Sequence, residues 1–126
     1  MESIKSNNAI YELHENYVIA KYFEGSDPGL QEAIFIYRFL AEKYTSDFGW
    51  ISDRVNSYSS HPEFIHNLLE DFSNFKCIAW VTYKDSLKTR ISPLPGFLPK
   101  RIKTSSFHSL PEAVAWTQTI LSKSSD

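Results

Sequence analysis

Asp53, Arg54, Ser57, Ser59 and Ser60 place a carboxylate, a guanidinium and three hydroxyls in one short segment. The apolar run Phe48-Gly49-Trp50-Ile51 precedes it, and a helix start follows. Ser60 with Glu63 three residues on forms a capping box. A helix start presents free amide donors and the positive end of the helix dipole, so this turn can seat an anion or a phosphoryl group. In that reading Arg54 holds the anion, Asp53 sets the local charge, and a serine can itself receive phosphate. The plainer alternative is that Ser60 only caps the helix and Asp53 pairs with Arg54.

Other chemistry has less material. His14, His61, His66 and His108 are scattered. His61 and His66 are five apart and do not share a helix face as an i, i+4 pair would, so no metal site is expected. Cys77 lies in an apolar run and reads as a small core residue, not a nucleophile. No Gly-x-Ser-x-Gly elbow, phosphate-cradling glycine loop or dinucleotide fingerprint occurs. We therefore expect no catalytic residues and no cofactor. An acid–base enzyme using Asp53 or His61 is the least supported reading, because no motif accompanies either side chain.

Two further stretches bear on partners. Phe35 and Phe39 are four apart on a predicted helix, with Ile36 beside them, and fall off its main apolar stripe. They are a candidate interface, for self-association or for a partner. Lys84, Lys88, Arg90, Lys100, Arg101 and Lys103 make the stretch from 84 to 103 basic, opposed only by Asp85. Such a stretch can meet an acidic protein, a phosphate or anionic lipid, or can be a solvated loop. The net charge of −2 gives no reason to expect nucleic acid.

The elements that position these residues follow from periodicity. Ala9 to His14 and Tyr17 to Phe23 read as strands joined at Glu15-Asn16. Asp27 and Pro28 suit an N-cap and a first helical position. The helix then runs to about Tyr44, with Leu30, Ala33, Ile34, Tyr37, Leu40, Ala41 and Tyr44 inward. Phe48 to Asp53 is a third strand, and about 61–72 a second helix. Cys77 to Tyr83 is a continuous apolar strand, as expected where both faces are covered. A short helix around 86–91, a strand over 102–107 and a helix capped by Ser109 and Glu112 complete the order ββαβαβ(α)βα. This is an α/β domain with an N-terminal hairpin leading into a mixed, largely parallel sheet. A chain of 126 residues makes one domain, residues 1–126, with an ordered core of about 9–121 and frayed ends. One cysteine precludes an intrachain disulfide, and no apolar run suits a bilayer span or signal peptide. We expect a cytoplasmic protein without stable membrane insertion.

This order, the strand-to-helix step at Ile51-Ser52-Asp53, and the closing run Phe107-His108-Ser109-Leu110-Pro111-Glu112-Ala113-Val114-Ala115-Trp116 support a family likeness. The chain resembles the small bacterial STAS-like proteins, related to anti-sigma-factor antagonists, from about residue 9 to 121. Regulatory members carry a phosphorylatable serine or threonine after the central strand, and Ser57 to Ser60 occupy the matching positions. A longer segment with Tyr58, His61 and Pro62 replaces their compact turn. The resemblance implies a non-enzymatic regulatory or binding module that recognises a protein partner, with homodimerisation as one form of this. The alternative is a carrier of a small anionic or lipid-like ligand.

Overall fold

A computed structural model describes residues 1–26, 29–53, 69, 71–83 and 101–124. Its strands are β1 (Glu2–Lys5), β2 (Ala9–Leu13), β3 (Tyr17–Tyr22), β4 (Phe48–Asp53), β5 (Phe75–Val81) and β6 (Lys103–Phe107). Its helices are α1 (Leu30–Lys43) and α2 (Leu110–Ser124). The six strands form one sheet in sequence order. The β1–β2 and β2–β3 pairings are antiparallel, and the β3–β4, β4–β5 and β5–β6 pairings are parallel. The α/β class and the mixed sheet agree with expectation. The order differs: among the described residues it is βββαβββα. The expected helices over about 61–72 and 86–91 lie outside the described residues, apart from buried Leu69 and the end at Asp71 and Phe72.

The N-terminus corrects the expectation of a frayed end. Glu2–Lys5 pairs with β2 along its whole length, from Glu2 opposite Leu13 to Lys5 opposite Ile10. Ser6 makes the reversal, because its hydroxyl accepts from the amides of Asn8 and Ala9, both at 3.0 Å. Ile4 packs partly buried on the core beneath. A strand that short, with one apolar residue, carries almost no periodic signal.

Alternation sorts the core into two faces. Val18, Ala20 and Tyr22 of β3, Phe48 and Trp50 of β4, and Ile78 and Trp80 of β5 join Ile36 and Leu40 of α1. Ile19, Ile51, Ala79 and Val81 point the other way and join Ala113 of α2. The apolar β5 is covered on both faces, as its sequence requires.

Helix α1 is rolled relative to its predicted stripe. Its buried row is Glu32, Ile36 and Leu40, continued by Tyr44 at the C-cap, with Ala33 alongside. Leu30 is 47% exposed and Ala41 faces solvent. Ile36, expected beside an exposed surface, is fully buried and belongs to the core. The cause is Glu32. Its carboxylate accepts from Ser6 Oγ at 2.7 Å, Asn8 Nδ2 at 3.0 Å and the Tyr11 hydroxyl at 2.5 Å. A charged residue drawn inward by three donors carries its i+4 neighbours with it. The helix starts at Leu30 with Gly29 as N-cap and no side-chain cap. Asp27 and Pro28, expected to start it, lie outside the described residues.

Candidate functional site at the carboxyl edge of the sheet

Parallel strands β3 to β6 end along one edge, where ligands of open α/β sheets tend to bind. Asp53 closes β4, and its register partner is Val81 of β5. Thr82 and Tyr83 follow directly. Alternation puts Asp53 on the α2 face with Ile51. Of the expected site, the structure describes only Asp53. Arg54, Ser57, Ser59 and Ser60 lie outside the described residues.

Asp53 is 5% exposed, and its Oδ1 has no hydrogen-bond partner. The Asp53 charge acts on the Tyr83 phenol. Desolvation pushes the Tyr83 phenol up to about 12, and the Asp53 charge and hydrogen bond add to the effect. The phenol therefore stays a donor at neutral pH. Tyr83 is 49% exposed, so this pair lies where the interior meets solvent.

Two more oxygens on this edge are unsatisfied. Thr82 is fully buried, and its Oγ1 has no partner, although its amide donates to Phe107 O at 2.9 Å. Ser26 Oγ, in the turn after β3, is likewise buried and unpartnered. These three are all the buried side-chain polar atoms without a partner among the described residues, and all follow or end strands on the carboxyl edge. Buried polar groups are nearly always satisfied in folded proteins, so each of the three is an exception.

Neighbouring groups frame the edge. His108 Nδ1 lies 3.2 Å from Thr82 O, a contact in which Nδ1 carries the proton because a carbonyl only accepts. The expected cap at Ser109 forms: Glu112 N donates to Ser109 Oγ at 3.4 Å, and that hydroxyl donates to Glu112 Oε1 at 3.1 Å. The start of α2 is thus occupied by its own side chains. Sequence reading missed Thr82 and Tyr83 by including them in the apolar strand. The available signal was that the end of a strand parallel to β4 must share its edge.

The other expected features fall elsewhere. Phe35 and Phe39 are partly buried against the α1-side core, with ring centroids 5.2 Å apart. They line a 490 Å³ groove with Ile34 and Arg38. Next to it, a 550 Å³ groove is bounded by Lys5, Asn8, Glu32 and Phe35. Cys77 is buried and unbridged, and burial pushes its thiol up to about 12. Of the basic stretch, Arg101 donates to Phe75 O at 2.9 Å and Lys103 is exposed, while Lys84, Lys88, Arg90 and Lys100 lie outside the described residues. Among the described residues, no three His, Cys, Asp or Glu side chains converge as metal ligands. No helix among them is long and apolar enough to cross a membrane.

Comparison with known protein families, with characterised proteins and with solved structures finds no match.

Proposed function

We propose that the chain is a STAS-like binding or regulatory module that recognises a protein partner at the carboxyl edge of its sheet, without chemistry of its own. The observation that carries this reading is that the buried oxygens left unpartnered all lie at or after strand ends on this edge: Asp53 Oδ1, Thr82 Oγ1 and Ser26 Oγ. The resemblance to anti-sigma-factor antagonists supports the same reading, because their working surface follows the central strand.

The test is a comparison in the source cells. Tagged chain and the double variant Asp53→Ala/Thr82→Ala are recovered and their bound proteins quantified by mass spectrometry. The expected result is a stoichiometric protein partner held by the unmodified chain and lost from the double variant at unchanged melting temperature. Equal recovery by both forms would remove the edge from the account.

A carrier of a small lipid-like ligand is the second reading. It rests on the two adjoining grooves beside Phe35, lined partly by half-buried apolar surface. Native mass spectrometry of freshly purified protein would carry an added small-molecule mass in that case, and the bare chain mass otherwise.

A further inference from the structure

We propose that β1 is an interface for a second copy of this chain: two β1 strands pair antiparallel about a two-fold axis at Ile4 and join the two sheets into one. This surface is separate from the carboxyl edge and does not rest on the partner reading given above.

The hydrogen-bond register fixes which groups of β1 are open. Asn8 O accepts from Phe23 N at 2.8 Å, and Tyr17 O accepts from His14 N at 2.9 Å, so the even-numbered residues from Asn8 to His14 bond to β3. Antiparallel pairs alternate, which leaves Ala9, Tyr11 and Leu13 to bond to β1. Ser6 N donates to Ala9 O at 2.9 Å, in the same alternation. By the β1–β2 register, Glu2 and Ile4 take up these bonds, and the amides and carbonyls of Ser3 and Lys5 point away from β2. Among the described residues β1 is the end strand of the sheet. It carries no proline, and its register with β2 is unbroken. Lysine commonly guards such an edge, but Lys5 holds its ammonium 5.8 Å from the Phe23 ring centroid, over its own domain.

A second copy fits this edge by symmetry. With Ile4 on the axis, Ser3 of one copy lies opposite Lys5 of the other. Outward-facing residues then meet, and each such pair exchanges both of its backbone hydrogen bonds. The same register sets Ile4 against Ile4 in a non-bonded pair, where side chains approach closest. Ile4 lies on the α1 side, packed with Phe35 and Phe39 on one core cluster and, like them, only partly buried. The groove lined by Lys5, Ser6 and Phe35 leads from β1 to that helix face. Pairing continues this apolar strip into the second copy instead of ending it at solvent. The groove beyond Phe35 is rimmed by Arg38 and Glu42, about one helical turn apart. A two-fold reverses their order, so a second copy presents the complementary charges.

Sedimentation of the full chain over a range of concentrations tests the pairing. A reversible dimer is expected. Ser3→Pro should raise its dissociation constant by more than about tenfold, because it deletes an outward amide without removing a bond to β2. Exchange protection of the Tyr11 amide should persist in that variant and shows that β1 still lies on β2. Oxidative crosslinking reads the register and does not depend on that variant. Ile4→Cys should form an interchain disulfide faster than Ser3→Cys, because the two Cβ atoms at position 4 face each other across about 5 Å. Cys77 is buried, so the introduced thiol is the reactive one. A chain still monomeric at about 1 mM, a dimer untouched by Ser3→Pro, or faster crosslinking at position 3 would overturn the inference. If Ser3→Pro detaches β1, the order of crosslinking alone decides.

Discussion

The Tyr11 hydroxyl donates to the Glu32 carboxylate across 2.5 Å of the interior and joins the middle of β2 to the first turn of α1. Burial, with Tyr22 and Glu32 beside it, raises the Tyr11 phenol well above its ordinary range, so it stays a donor. Ser6 and Asn8 donate to the same carboxylate and tie in the β1–β2 turn. Glu32→Ala should cost about 2–3 kcal/mol, since buried donors lose their acceptor. Glu32→Gln should cost less. Urea denaturation measures both, and a loss below about 0.5 kcal/mol for the alanine variant, the range of ordinary surface substitutions, would contradict the role.

Gly49 is required by close packing of α2. A Cβ there would lie 2.7 Å from Cys77 Sγ and 2.9 Å from Thr117 Cγ2. Gly49→Ala should cost about 1–3 kcal/mol by overpacking. Adding Cys77→Ala should recover part of the loss, so the two changes should be non-additive in thermal unfolding. Strict additivity would mean that the sheet and α2 separate without resistance.

Cys77 should resist alkylation in the native state. Its thiol is buried and its pKa is raised from 9.0 to about 12. The folded state holds the thiol proton more tightly than the unfolded chain. This contribution is therefore complete below pH 9 and falls away as pH rises from about 9 toward 12. Labelling at pH 8 should track global unfolding, and rapid labelling of folded protein would contradict the burial.

Tyr83 offers a direct reading of its neighbour. Desolvation is the main cause of its raised pKa, followed by the Asp53 charge and hydrogen bond. Asp53→Asn should therefore lower the Tyr83 midpoint from about 12 part of the way toward 10.0, the ordinary value. The ring carbon shifts of Tyr83 against pH measure this. An unmoved midpoint would separate the two side chains in solution.

Much of this architecture was legible, for physical reasons. Phe48 to Asp53 is flanked by breaks and opens on an apolar run, and it forms a strand over that span. Ser109 and Glu112 form their cap because the pairing is local. The roll of α1 was not legible, because a buried glutamate depends on donors from residues 6, 8 and 11, which no helical period encodes. The edge was half legible. Asp53 ends an evident strand, whereas Thr82 and Tyr83 reach it only through the β4–β5 register. Tyr44 illustrates the same limit: its hydroxyl donates to the carbonyls of His14 and Tyr17, at 2.7 and 2.8 Å, a bridge set by tertiary placement.

The central claim is that a protein partner docks at the carboxyl edge. Photo-crosslinking in the source cells tests it most directly, with a photoreactive phenylalanine analogue in place of Tyr83 and, separately, of Glu15 at the far end of the β2–β3 hairpin. Both positions are exposed. The account predicts one predominant crosslinked protein from position 83, lost on Asp53→Ala, and none from position 15. The same products from both positions, or none from position 83, would contradict it.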